Sequence, residues 1–129
     1  MNSWLLVAAA LLTAQPPAAV MARADAYRGS IVEWIGRQLR TSRIPATAPA
    51  INSRLFIAVD ADGAEIPGAF FIVDGVAEET EAARKLGRSR VDRGIRRVRG
   101  SVSGVAETYH NNRPGTPGVR LTRVTLDAP

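Results

Sequence analysis

Two aspartates that flank an alanine and run into a glycine, Asp60-Ala61-Asp62-Gly63, are the residues of this chain whose type and spacing come nearest to metal chemistry. A calcium loop needs alternating oxygen ligands, a glycine at its sixth position and a bidentate glutamate at its twelfth. With Gly63 at the sixth position, Ala58 falls at the first and Ala69 at the twelfth, so the ligand set is incomplete and the stretch reads as a tight turn. His110 is the single histidine and there is no cysteine, which excludes a multi-histidine metal site, a thiolate zinc site and a cysteine nucleophile. Gly100-Ser101-Val102-Ser103-Gly104 has the outline of a nucleophile turn but puts valine where the serine must stand. No glycine-rich phosphate cradle and no dinucleotide fingerprint is present. Glu78, Glu79 and Glu81 supply paired carboxylates, but acids at the start of a helix are explained by its dipole. The expectation is a non-enzymatic protein with no cofactor and no metal. A catalytic role would have only Asp60, Asp62, Glu65 and His110 to draw on.

Charge is the stronger signal. The 129 residues carry 17 basic and 12 acidic side chains, a net +5, and Lys85 is the only lysine. Asp60 to Glu81 holds seven acids and no base, whereas Arg84 to Arg99 holds eight bases and one acid, Asp92. A surface of two poles follows, with Arg90, Arg93 and Arg97 as a basic stripe able to meet an anionic surface. That stretch contains no aromatic residue for base stacking.

The elements that must position these groups begin with an N-terminal apolar run, Trp4 to Ala14, followed by Pro16, Pro17 and the small residues Ala22-Arg23-Ala24. This has the order of a secretory signal, cleaved before Asp25, with residues 25–129 as one domain and a periplasmic or secreted location. A start at Met21 would instead leave the protein in the cytoplasm. Tyr27, Ile31, Trp34, Ile35 and Leu39 recur at helical spacing and predict an amphipathic helix ending before Pro45. Leu55–Val59 and Ala69–Val73 read as two strands of a hairpin around Asp60–Gly63, the second settling into its ladder only from about Ala69 because of Pro67 and Gly68. Ala77 to Leu86 suits a helix capped by Asp74, and Val91, Ile95 and Val98 a second short helix. Ser101 to Tyr109 and Val119 to Leu126 suit strands. The expected class is α+β: an antiparallel sheet of three or four strands with two helices on one face, in the order α-β-β-α-(β)-β.

The helix with Tyr27, Ile31 and Trp34, the Ile44-Pro45 step, the strand-turn run Leu55 to Gly63 and the helix start Val91-Asp92-Arg93 with Ile95 and Val98 resemble the C-terminal domain shared by TonB and TolA proteins. That resemblance covers Tyr27 to Leu126 in element order. It implies a cell-envelope protein-interaction module that captures an extended partner strand or peptide on a free sheet edge, which needs no catalytic residue. The last strand, with Arg120, Leu121, Arg123 and Val124, is then the candidate partner contact. The alternative is a cytoplasmic basic protein, starting at Met21, that binds nucleic acid or another anion.

Overall fold

The computed structural model describes residues 12–13, 15–39, 53–89, 94–106, 109–110, 113–114 and 117–129. In chain order the elements are β1 (Leu12–Thr13), α1 (Pro17–Ala22), β2 (Ile31–Gln38), β3 (Arg54–Val59), β4 (Glu65–Val73), β5 (Glu78–Glu79), α2 (Glu81–Gly87), β6 (Ile95–Ala106), β7 (Tyr109–His110), β8 (Arg113–Pro114) and β9 (Gly118–Asp127). Strands β2, β3, β4, β9 and β6 pair in that order, and β6 pairs back onto β2, so five strands close into a barrel. All neighbours around the ring are antiparallel except β4 and β9. β1 extends the wall beside the start of β2, and β5 runs parallel to the end of β9. A meander of three strands, a connection bearing a helix and two further strands that close the ring give the connectivity of the OB-type Greek-key barrel.

This architecture corrects the expected α+β sheet with two packed helices. The described helices have six and seven residues. The segment read as the first helix is strand β2, in which Val32, Trp34 and Gly36 point into the barrel while Glu33 and its alternate neighbours point out. Ile31, Val32 and Ile35 are β-branched and stiff at χ1, which suits the pleated surface once partner strands exist. Those partners are β6 over seven registered pairs, Ile31↔Ser101 to Arg37↔Ile95, and β3 at Gly36, Arg37 and Gln38.

The expected helix through Ile95 and Val98 is likewise strand. Val98, Gly100, Val102, Gly104 and Ala106 are buried, and the residues between them are exposed or half-buried along β6. Val91 and the Ile44-Pro45 step lie outside the described residues. Of the helix expected over Ala77 to Leu86 only the later part forms, as α2, because Glu78 and Glu79 pair with β9 as β5; Thr80 caps α2 by accepting from the Ala83 amide, and Asp74 is committed elsewhere. The hairpin stands with a nuance. β4 starts at Glu65 opposite Val59, but regular pairing with β3 resumes only at Phe70 opposite Ile57, close to where Pro67 and Gly68 lead one to expect it. The Asp60 carboxylate accepts the amides of Asp62 and Ala64 at 2.9 Å, which makes the aspartate a turn residue.

The core sits inside the ring. Phe56 and Phe71 stack at 5.3 Å with planes 4° apart, and Trp34 tilts against Phe71 at 5.4 Å. The barrel is narrow enough that small residues are obligatory at three wall positions, Gly36, Gly100 and Gly118. A Cβ on Gly36 would stand 2.6 Å from Phe71 Cζ, and one on Gly100 would stand 2.7 Å from Val124 Cγ2. Contacts that short are forbidden, so the glycines set how closely β2, β6 and β9 approach the aromatic cluster.

Candidate anion-binding face

β6 and β9 are antiparallel neighbours, and their pairing slips between Arg99↔Thr125 and Ser101↔Thr122. Between those pairs β6 has one residue, Gly100, while β9 has two, Arg123 and Val124. This is a β-bulge, and its first extra residue takes the left-handed conformation, Arg123 at φ 53°, the only described non-glycine residue with positive φ. The bulge keeps Val124 in the core at 2% exposure and swings Arg123 outward. A left-handed non-glycine residue costs on the order of 1–3 kcal/mol and such strain gathers at functional sites.

Around the bulge lies a cleft of about 230 Å³ lined by Gly29, Ile31, Arg99, Gly100, Ser101, Arg123 and Thr125. Two arginines and two hydroxyl-bearing residues thus border one depression. Arg123 makes no hydrogen bond or ion pair with any described residue. Arg99 Nη1 lies 3.9 Å from Glu33 Oε2, and Arg97 Nε lies 3.7 Å from Glu33 Oε1. Both distances exceed a hydrogen bond, so one carboxylate is shared loosely between two arginines and leaves most of their donors unused. All three arginines are exposed. Planar guanidinium forks beside hydroxyl donors are suited to the oxygens of a phosphate, sulfate or carboxylate.

Asp127 ends the same strand opposite Arg97. It is turned to structural use: the Thr80 hydroxyl donates to its Oδ1 at 2.7 Å and the Ala128 amide at 2.8 Å. The Thr80 hydrogen bond first, then the Ala128 amide, and less so Arg97, hold the Asp127 carboxyl below its ordinary value against the opposing effect of burial. The carboxylate thereby ties the first turn of α2 to the end of β9.

Among the expected site residues, Arg97 and Arg123 come together on this face, while Arg90 and Arg93 lie outside the described residues. Leu121 and Val124 are corrected from partner contacts to core residues, 0% and 2% exposed. Arg120 points the other way along the wall and donates from Nη1 to both carboxylate oxygens of Asp74 at 2.9 and 3.0 Å, with Ser53 Oγ adding a third hydrogen bond to Asp74. It fastens β9 to the end of β4. β9 is flanked by β6 on one side and by β4 and β5 on the other, so a partner strand has no free edge there. Glu65 pairs with Arg37 at 2.9 Å and Glu79 with Arg54 at 3.0 Å. His110 is placed only as part of β7, and among the described residues no group of three or more histidine, aspartate or glutamate side chains is positioned to hold a metal ion. None of the described helices is long and apolar enough to cross a membrane.

Comparison with family models, curated proteins and solved structures returns no match.

Sequence reasoning passed over Arg99, Ser101 and Thr125 as site residues. The available signal was the period-2 run Arg97-Val98-Arg99-Gly100-Ser101-Val102-Ser103, polar and small or apolar in strict alternation. Read at that period, both arginines and both serines fall on one face. The bulge that adds Arg123 depends on a pairing between distant segments and leaves no local mark.

Proposed function

We propose that this protein is a non-catalytic binding module for single-stranded nucleic acid, which it holds by its phosphates on the outer face of β6 and β9. The observation that carries the reading is the convergence on one cleft of Arg99, Ser101, Thr125 and Arg123, the last without a hydrogen-bond or ion-pair partner among the described residues. Arg97, two residues before Arg99 on the same face of β6, extends the basic row.

Three features favour a flexible polyanion over other anionic partners. The described residues expose only two large apolar side chains, Val76 and Val105, so this face lacks the apolar payload with which a protein enters a lipid surface. The wall of a narrow barrel is convex, and a single strand can follow that curve at little cost, whereas duplex DNA resists bending over tens of base pairs. The net +5 supplies long-range attraction. No aromatic side chain is described among the residues lining the cleft, so binding rests on phosphates and is insensitive to base sequence. The barrel topology by itself assigns no ligand. Its β3–β4 wall, where Ile57 and Ile72 are 5% and 0% exposed, is apolar and withdrawn from solvent, so the basic face is the one that offers phosphate donors.

The test is fluorescence anisotropy of a labelled single-stranded oligonucleotide and of its duplex, titrated with the full chain at low salt. Expected are binding that favours the single strand, indifference to base composition, and strong weakening in the Arg99→Gln, Arg123→Gln double variant. No binding at low salt, or unchanged affinity in that variant with folding intact, overturns the reading.

A further inference from the structure

We propose that Gln15–Ala24 is a built-in stopper of the barrel, retained in the working protein, rather than a removable leader. A cut before Asp25 and a start at Met21 would each remove Gln15 and Val20.

The segment is built into the core. Pro17 supplies the preset φ of the first helical position, and the Pro16 carbonyl accepts the amides of Ala19 and Val20, so α1 starts where the sequence dictates. Val20 is 0% exposed and belongs to the same apolar cluster as Trp34, Phe71 and Val119, with Met21 packed against it. α1 packs on β4 and β9, the two strands whose parallel pairing completes the ring. The indole of Trp34, itself 7% exposed, donates from Nε1 to the Gln15 carbonyl at 2.9 Å. Deleting the segment leaves that N–H without its partner and empties the space of a fully buried valine, two recognised causes of large destabilisation.

The bond that a leader-removing protease would cut is also withdrawn. Ala24 is 2% exposed, the Ala24 carbonyl accepts the Tyr27 amide, and the Arg23 carbonyl accepts the amides of Ala26 and Tyr27. The chain is coiled there, not extended. Two residues further on, the Gly29 amide donates to Val102 and the Val102 amide to Ser30, which anchors the turn to β6 as the chain enters β2.

The decisive experiment is intact-mass analysis of the protein purified from its natural source. A mass that includes residues 15–24 is expected; an N-terminus at Asp25 or Met21 overturns the proposal. A second measurement works on recombinant protein. In a Trp4→Phe background Trp34 is the only tryptophan, and its emission is compared in the full chain, in a chain beginning at Asp25 and in the Val20→Asp variant. Both altered chains are expected to lose stability, with red-shifted Trp34 emission and increased binding of an apolar dye, or to fail to fold. Equal unfolding midpoints and unshifted emission in the chain beginning at Asp25 contradict it.

Discussion

Replacing Arg123 with glycine separates the two roles of the bulge, because it removes the strain and the charge together while Arg123→Ala removes only the charge. Arg123 sits at φ 53°, where an L-residue with a Cβ is disfavoured by roughly 1–2 kcal/mol. Glycine releases that strain but costs about 0.5–1 kcal/mol through the greater freedom of the unfolded chain. No hydrogen bond or ion pair is lost, since Arg123 makes none with a described residue. The balance predicts that Arg123→Gly stabilises the barrel by about 0.5–1 kcal/mol, which for a chain of this length raises the melting temperature by about 2–4 °C. Arg123→Ala keeps the strain and is expected to leave stability unchanged or slightly lower. Urea denaturation followed by Trp fluorescence, with thermal melts by circular dichroism, measures both. Nucleic-acid affinity is expected to fall to the same extent in the two variants, so one substitution gains stability while losing binding. A glycine variant no more stable than the alanine variant would refute the strain argument, and with it the view that the bulge is maintained to present the guanidinium.

Three other outcomes follow from the geometry. Gly36→Ala forces a Cβ to within 2.6 Å of Phe71 Cζ and should destabilise by about 1–3 kcal/mol, as overpacking does; a smaller shift in urea midpoint would mean that the ring can move aside. Asp74→Ala strips Arg120 of both its contacts in a pair whose side chains are each 15% exposed, and a loss of about 2 kcal/mol is expected, against little change for the exposed Arg28–Asp25 pair. The folded-state pKa of Asp127 is lowered, so its contribution is fully present above its unfolded-state pKa and is lost as the pH falls through the lower folded value. As the pH falls below about 4, the ordinary carboxylate range, the urea midpoint of Asp127→Asn should therefore fall less steeply than that of the unaltered chain; parallel declines would remove Asp127 from the account.

The parts of this fold that could be read from sequence are those whose causes are local. The Asp60–Gly63 turn is one, because the aspartate bonds amides two and four residues away. The delayed ladder after Pro67 and Gly68 is another, since both residues act on their own backbone. The segment Tyr27 to Leu39 shows the opposite case. Its apolar residues satisfy a helical period, but the strand is chosen by partners at residues 95–101 and 56–58, which no window around Trp34 contains. Once β2 is a strand, Ile31 and Trp34 lie on opposite faces, and the apolar stripe that suggested a helix dissolves. The same distance effect governed the site. Arg97 is legible as a basic residue in a basic run, but Arg123 joins it only through the slipped pairing of β6 with β9. Leu121 and Val124 look like partner contacts when β9 is taken as an edge, and become core residues when the ring closes over them.

The most direct test of the central claim is the salt dependence of oligonucleotide binding. Phosphate contacts release counterions, about 0.7 per contact for a single strand. Contacts from Arg97, Arg99 and Arg123 then predict a plot of log affinity against log salt with a slope of about −2, or nearly 20-fold weaker binding at 200 mM than at 50 mM salt. Arg123→Gln should make that slope shallower by about 0.7. A slope near zero, or one that Arg123→Gln leaves unaltered, would show that the face around the β6–β9 bulge does not hold phosphates.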